Sequence, residues 1–271
     1  MSFLDGANAY SASSLSSLSS LDRPSPLASQ IESQTRDLDW TLAHFTFVAN
    51  VTTLAAECDI AHSPTMSVAS CRALPTLGLA FAGESSDLLA TYATFLAAPG
   101  SAVSLFVSEE QRQVVESAFD VESVEPNWQM LYRGDPGDLD VGSAAELVEN
   151  DLSAAQSLTK AERFEMICLS DHLVGQGPAY GAWERRKLIA MGMTTLVLPG
   201  AAQIGNIVTR SDYRRHGHAS AVVAALLKEH LAQGRSVFVV VDQANSAAVA
   251  LFDHLGFTRE RPMYAMRCVL R

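Results

Sequence analysis

The chain has 271 residues, a formal net charge of −11 at pH 7, and a composition in which 48% of the residues are hydrophobic. This length suits one large domain or two modest ones, and this apolar content is enough for a packed core. The first 130 residues carry the whole charge imbalance, with four arginines and no lysine against fifteen acidic residues. Nucleic-acid binding is disfavoured, because phosphate contacts need basic patches. The acidic half would attract a cationic amine, or would serve only solubility.

The cysteines and histidines predict neither a disulfide framework nor a metal site. The cysteines, which are Cys58, Cys71, Cys168 and Cys268, lie far apart and form no C-x-x-C pair. Buried free thiols in a reducing compartment are therefore expected, with Cys168 as a core residue of a helix. The seven histidines do not cluster with carboxylates at ligand spacing, so no metal is predicted.

The sequence predicts no membrane partner and no secretory signal. The uncharged stretches 88–108 and 188–209 are interrupted by Pro-Gly or by glycine, which makes them poor membrane spans. The N-terminus lacks a basic start followed by an apolar core, and Arg23 alone is too little for a transit peptide. We therefore expect a cytoplasmic protein.

Residues 1–34 are predicted to be a disordered tail, because this serine-rich segment buries too little apolar surface to offset chain entropy. Residues 35–133 are predicted to form an α/β domain, in which helical patterns alternate with strands. Helices are expected at 40–57, 86–97 and 109–119, and strands at 66–72, 77–82, 102–107 and 121–132. Residues 128–133 either end this domain or begin the next.

A second domain is predicted at residues 134–271, after a connection at 135–142 that is rich in proline and glycine. Its first helix is expected at 158–173. Two strands follow between Tyr180 and Gly192, and a charged turn from Glu184 to Lys187 joins them.

The segment from Thr209 to Ala219 is the most informative part of the chain. A strand is predicted at 204–209, and a helix follows whose apolar face holds Val222, Val223, Leu226, Leu227 and Leu231. A helix N-terminus offers unpaired N–H groups and about half a positive charge, and small residues let a ligand approach the backbone. Such a loop suits a phosphate or diphosphate. It has neither the three glycines of a dinucleotide loop nor the Gly-Lys-Ser/Thr of a Walker loop.

The residues after this helix continue an α/β pattern. A buried parallel strand is predicted at 236–241, since it is a continuous β-branched and aromatic run. A helix follows with Ala248, Leu251, Phe252 and Leu255 on one face, and Gly256 marks its end. A last strand is predicted at 263–270.

These motifs, in this order, resemble the GCN5-related N-acetyltransferases, the GNAT family. Arg214-x-x-Gly217-x-Ala219 fits the family pattern Q/R-x-x-G-x-G/A. The segment from Asn245 to Phe257 fits N-x-x-A-x-x-L-Y-x-x-L-G-F, except that Phe252 replaces the usual tyrosine. The resemblance covers roughly the second half of the chain. It implies the GNAT acyl-CoA N-acyltransferase fold there, an α/β fold with a mixed sheet, preceded by a smaller α/β domain.

The front half repeats the order strand–helix–strand–helix–strand, which suggests a second, degenerate GNAT-like unit without its diphosphate loop. At the equivalent place, residues 80–87 carry two carboxylates and no arginine, so they would repel a diphosphate. An unrelated α/β domain is the plainer alternative.

The resemblance implies acetyl-CoA as co-substrate, with its diphosphate on the loop and its pantetheine arm along the edge of the preceding strand. An amine would attack the thioester directly in a ternary complex. The residues that the resemblance places at acetyl-CoA are Ile207, Val208, Thr209, Arg214, Arg215, His216, Gly217, His218, Ala219, Ser220, Asn245 and Phe252. Asn245 is also a candidate helix N-cap.

The catalytic acid and base are left unassigned. Phe252 has no hydroxyl to protonate the departing thiolate, so water, Tyr264 or Tyr213 would substitute, or the thiolate would leave unaided. Glu184 is a candidate general base and His172 a weaker one. His216 and His218 are expected to help neutralise phosphates.

The sequence thus predicts an acetyl-CoA-dependent N-acetyltransferase that acts on a primary amine. The alternative is a non-catalytic acyl-CoA-binding or regulatory module. The acceptor, a small molecule or a peptide, is left open, as are the acyl chain length and the oligomeric state, with a homodimer among the alternatives.

Overall fold

In a computed structural model of the protein, the structure describes residues 8–11, 26–72, 76–164 and 177–271. The chain divides into two compact units: the first comprises Met1–Asn127 with Pro262–Arg271, and the second comprises Trp128–Arg261. This division differs from the predicted boundary between residues 133 and 134. Met130 and Tyr132 pack in the core of the second unit, whereas the end of the chain pairs with a strand of the first.

The first unit consists of a β-sheet and of helices that pack against it. Its strands are β1 (Asn8–Ser11), β2 (Cys58–Ser63), β3 (Met66–Cys71), β4 (Leu77–Gly83), β5 (Ala102–Ser108), the start of β6 (Asp120–Tyr132) and the end of β12 (Phe257–Val269). Its helices are α1 (Pro26–Gln34), α2 (Leu38–Ala43), α3 (Phe45–Val51), α4 (Ser86–Leu96) and α5 (Glu109–Ala118). The strand order is β1-β2-β3-β4-β5-β12, in which only β4 and β5 are parallel neighbours.

The N-terminal segment departs from the predicted disordered tail. Strand β1 pairs with β2, and helix α1 buries Leu27, which is 2% exposed, against Phe47 and Ile60. Ile31, one turn after Leu27, packs against the same cluster, so the two form an apolar helix face. Residues 1–7 and 12–25, which hold most of the serine run, lie outside the described residues.

The second unit also consists of a β-sheet and of helices that pack against it. Its strands are the end of β6, then β7 (Ala145–Glu146), β8 (Ala179–Glu184), β9 (Lys187–Leu198), β10 (Ala201–Thr209), β11 (Ser236–Asp242) and the start of β12. Its helices are α6 (Leu152–Glu162), α7 (His218–Ala232) and α8 (Ser246–His254). The strand order is β6-β11-β10-β9-β8-β7. The predicted helix 158–173 begins earlier, at Leu152, and ends at Glu162; Cys168 and His172 lie outside the described residues.

Strand β10 leaves its neighbour β11 partway along, and this divergence creates the candidate site. The parallel pairing covers Ala201 to Gln203, although β10 continues to Thr209. On its other edge, β10 pairs with β9 through register shifts after Gln203 and Gly205. Asn206, at φ 51°, lies in the second shift. Such bulges bend a strand and increase its twist. The end of β10 is thus separated from β11.

The first unit repeats this arrangement. The order β2-β3-β4-α4-β5-α5-β6 matches β8-β9-β10-α7-β11-α8-β12 element by element. Strand β4 likewise pairs with β5 over only three residues, Leu77 to Leu79. This repetition supports the hypothesis of two GNAT-like units. Among the described residues, no helix is long and apolar enough to cross a membrane.

Candidate cofactor-binding site

The loop between β10 and α7 ends in an open helix N-terminus. Gly217 precedes α7 at φ 81°, and the first helical hydrogen bond runs from Ala221 N–H to the Gly217 carbonyl at 3.0 Å. Three N–H groups, those of His218, Ala219 and Ser220, therefore precede the helical ladder. No side chain among the described residues caps this terminus. A Cβ added to Gly217 would meet nothing within 4 Å, so the space before the helix is open.

A carboxylate that the sequence did not single out holds this loop in shape. Glu162, the last residue of α6, accepts hydrogen bonds from Ser211 N–H at 3.0 Å and from Arg214 Nη2 at 2.7 Å. Its side chain is only 9% exposed. Arg214 Nε also donates to the Thr209 carbonyl at 3.1 Å. Arg214 therefore organises the loop, whereas the sequence assigned it only a charge for the phosphates.

The charged turn between β8 and β9 lies beside the same loop. The hydroxyl of Tyr213 is hydrogen-bonded to Glu184, and this bond, with burial, raises the pKa of Tyr213. Lys187 Nζ lies 5.9 Å from the centroid of the Tyr213 ring. Arg185 and Arg186 form the turn at φ 45° and 67°. The contact brings the cationic Lys187 beside the loop, and no linear motif could have indicated it.

The histidines and Arg215 complete the loop. The His218 ring lies 6.4 Å from the ring of Tyr213 and 6.2 Å from that of His216, measured between centroids. Arg215 is exposed and adopts φ 66°, a left-handed conformation that only a tight loop requires. Glu162 pairs with Arg214, whereas no ion pair among the described residues engages Arg215, so the charge of Arg215 is available to an anion.

The end of β10 offers its backbone and one hydroxyl. Ile207 packs in the core with α7, and Val208 in the separate cluster with α6, so these two side chains are engaged in packing. The Thr209 Oγ1 atom is buried and has no hydrogen-bond partner among the described residues. An unsatisfied buried hydroxyl costs about 1–3 kcal/mol. This atom fits a ligand that brings a hydrogen-bonding group to the strand end.

Asn245 and Phe252, which the resemblance places at acetyl-CoA, have structural roles at helix α8. Asn245 Oδ1 accepts a hydrogen bond from Ala248 N–H at 3.1 Å, so Asn245 caps the helix. Phe252 is 5% exposed, and its ring centroid lies 5.2 Å from that of Phe257. Tyr132 packs edge-on against Phe257 at 5.5 Å, and burial raises the pKa of its phenol. No motif in the sequence indicated Tyr132, the hydroxyl-bearing member of this aromatic group.

Tyr264, a candidate proton donor, has its contacts in the first unit. It lies opposite Val107 of β5, and its hydroxyl is hydrogen-bonded to Glu109. The guanidinium carbon of Arg112 stands 4.8 Å from its ring centroid. The hydrogen bond to Glu109, with burial, raises the pKa of Tyr264. These contacts hold Tyr264 against α5.

In the first unit, the helix N-terminus and the strand end that correspond to this site are hydrogen-bonded to side chains of the same unit. Ser85 Oγ accepts a hydrogen bond from Leu88 N–H at 3.3 Å and thus caps α4 from within. Gln111 Nε2 donates to the Phe81 carbonyl of the diverging strand β4 at 3.0 Å. Gln111 stands three residues after the N-cap Ser108, as Ala248 stands three after Asn245. The glutamine side chain thus bonds to the end of the diverging strand, which a side chain as short as alanine could not reach.

Comparisons with known proteins identify the fold. The family model described as FR47-like protein matches residues 179–265, about a third of the chain. A GCN5-related N-acetyltransferase from Kribbella flavida has a TM-score of 0.62 at 15% identity, covering 83% of this chain and 95% of its own. An acetyltransferase from the GNAT family of Colwellia psychrerythraea has a TM-score of 0.59 at 16% identity, covering 98% of this chain and 99% of its own.

A third solved structure is a tandem GNAT protein from the clavulanic acid biosynthesis pathway, described as without AcCoA. Its TM-score is 0.56 at 15% identity, and the match covers 78% of this chain and 82% of its own. No curated protein matches this chain. The predicted resemblance to the GNAT family is confirmed, and the α/β fold with a mixed sheet is the GNAT acetyltransferase fold. Among the described residues, no group of three or more His, Cys, Asp or Glu could hold a metal ion.

Proposed function

We propose that the protein is an acetyltransferase that moves an acetyl group from acetyl-CoA to a primary amine, by direct attack in a ternary complex. The uncapped N-terminus of α7, beside the diverging end of β10, is the observation that carries this proposal. Three free N–H groups, an open space at Gly217 and an unsatisfied Thr209 hydroxyl all fit a ligand with a diphosphate and an amide-bearing arm. Acetyl-CoA supplies an acetyl thioester that an amine can attack.

Each part of the site has a role in this proposal. The backbone from His216 to Ser220 holds the diphosphate, and Arg215 adds charge, as do the basic residues of the β8–β9 turn. The free edge of β10 at 207–209 pairs with the pantetheine arm. Glu162 and Arg214 keep the loop in its binding shape. Asn245 acts chiefly as the cap of α8.

The proton transfers are the part of the mechanism in which this chain differs from its family pattern. Phe252 is buried and offers no proton to a departing thiolate, so we propose that the thiolate leaves without a protein acid at this position. Glu184 raises the pKa of the neighbouring Tyr213, and we propose a positioning role for both residues rather than acid and base roles. The acceptor amine is a small molecule or a peptide N-terminus or lysine.

A second candidate function, non-catalytic binding of acyl-CoA, is favoured by the same Phe252. The two functions differ in one observable, the release of free coenzyme A thiol. Purified protein is mixed with acetyl-CoA and a panel of primary amines, and thiol is measured with a chromogenic disulfide. Amine-dependent release supports the transferase. Binding of acetyl-CoA without release for any amine supports the binding module. The buried free thiols of the first unit favour a reducing compartment such as the cytoplasm.

A further inference from the structure

Two cysteines that are far apart in the sequence face each other in the first unit. Strands β2 and β3 pair antiparallel, and Cys58 lies directly opposite Cys71 in that pairing. Cys58 begins β2 and Cys71 ends β3, so they are the outermost pair of the hairpin. Neither thiol has a role in the proposed acetyl transfer.

The spacing of this pair suits a covalent bond. Opposed residues on antiparallel strands have Cα atoms about 4.5–5.5 Å apart. Disulfides span Cα separations of roughly 4.4–6.8 Å. The two side chains point to the same side of the sheet, since they occupy opposite positions of one register, and the Cys58 thiol is hydrogen-bonded to Cys71. The sulfur atoms therefore need side-chain rotation, without a shift of either strand, to bond.

The surroundings hold the pair in register. Arg72 N–H donates to the Glu57 carbonyl at 3.2 Å, and the Arg72 guanidinium pairs with the Asp59 carboxylate. These two contacts flank the cysteines on the next residues of each strand. Both thiols are buried, at 1% and 2% exposure. The arrangement keeps the two sulfurs adjacent to each other and out of bulk solvent, so glutathione reaches them only when the strand ends open locally.

We propose that Cys58 and Cys71 are a dithiol modification site, which a small-molecule disulfide such as oxidised glutathione converts to an intramolecular disulfide. One cysteine thiolate attacks a glutathione sulfur, the glutathione S–S bond breaks, and one glutathione thiolate leaves. The second cysteine thiolate then attacks the protein-bound sulfur, and the second glutathione thiolate leaves. The two protons from the cysteines end on the two glutathione thiols. The protein is oxidised by two electrons and glutathione disulfide is reduced.

The local environment predicts a slow, pH-dependent reaction. The hydrogen bond to Cys71, burial and the neighbouring acidic residues Asp59 and Glu57 all raise the pKa of the Cys58 thiol. Because the thiolate is the attacking species, the rate is expected to rise about tenfold for each pH unit between 7 and 9. The bond, once formed, closes a short loop in the unfolded chain and raises the Tm of the first unit by roughly 5–10 °C.

The test uses the full chain and oxidised glutathione as the probe. Reduced protein is incubated with the probe at pH 7, 8 and 9, and intact mass and peptide mapping follow the products. The expected product has lost two hydrogen atoms, carries no glutathione, contains a peptide cross-link between Cys58 and Cys71, and returns to the start with a reductant. The matched control is Cys268→Ser, which removes a buried thiol of the same unit and should leave the reaction unchanged.

Cys58→Ser and Cys71→Ser should each form no intramolecular cross-link. Peptide mapping of the wild-type protein alone decides the question if either variant fails to fold. A stable glutathione adduct on one cysteine, a cross-link that involves Cys168 or Cys268, or unchanged thiols at pH 9 after prolonged exposure would each overturn the proposal.

Discussion

Removing the Glu162 carboxylate should loosen the loop that precedes α7 without touching the site where the ligand is proposed to bind. In Glu162→Ala, Arg214 loses its partner at 2.7 Å and Ser211 N–H loses its acceptor at 3.0 Å. A hydrogen bond to a charged group contributes about 1.5–3 kcal/mol. Arg214 is 59% exposed, so solvent screening reduces this figure, and we expect a stability loss of about 1–2 kcal/mol.

The same change should weaken acetyl-CoA binding, because part of the binding free energy is spent in ordering the loop. An ordering cost of about 1–2 kcal/mol corresponds to roughly a 5–30-fold increase in Kd. Urea unfolding measures the stability, and calorimetric titration measures the Kd. The matched control is Glu116→Ala, which breaks an exposed pair with Arg112 at 2.7 Å in the first unit. That control should cost under about 0.5 kcal/mol and leave the Kd unchanged.

A double-mutant cycle separates loop shaping from direct ligand contact. If Arg214 acts through Glu162, then Arg214→Ala and the double variant should bind acetyl-CoA about as weakly as Glu162→Ala does. A Kd for Glu162→Ala equal to that of the wild type would refute the reasoning that this carboxylate holds the loop.

Three further outcomes are expected. Replacing Arg185 and Lys187 together by alanine should raise the Kd for acetyl-CoA several-fold and flatten its salt dependence; an unchanged salt dependence would mean that the β8–β9 turn does not face the ligand. Asn245→Ala should cost about 1 kcal/mol in urea unfolding, as the loss of an N-cap does, with a smaller effect on the Kd. Burial, with the nearby Arg235, lowers the pKa of His230 to about 4 in the folded protein. Between pH 6.5 and 4, His230 therefore binds a proton more readily in the unfolded state than in the folded state. Stability should therefore fall as pH drops through this window, by about 2 kcal/mol at pH 5, and a His230→Gln variant should lose this pH dependence.

Local patterns in the sequence predicted the elements around the site. The strand at 236–241, the helix after Gly217 and the helix after Asn245 each follow from a period or a cap within one short window. These are also the segments that carry the family motifs. Their geometry depends mainly on neighbouring residues, so a linear reading is sufficient.

Contacts between distant segments could not be predicted in this way. Glu162 precedes Arg214 by 52 residues, and nothing in either local pattern indicates their pairing. The opposition of Cys58 and Cys71 depends on strand β2, whereas the sequence pattern predicts a helix that ends at Glu57 and no strand before residue 66. The predicted helix 40–57 is instead divided at His44, whose Nδ1 bonds to the Trp40 carbonyl at 3.0 Å.

The most direct test of the proposed cofactor site is a calorimetric titration of acetyl-CoA into the wild-type protein, Gly217→Val and Gly100→Val. Gly217 and Gly100 have nearly equal φ, 81° and 79°, and an added Cβ meets nothing within 4 Å at either. Both variants should therefore lose a similar stability, about 1–2 kcal/mol. We predict micromolar binding by the wild type and by Gly100→Val, with binding lost in Gly217→Val. Equal affinity in all three proteins, or no binding by the wild type, would contradict it.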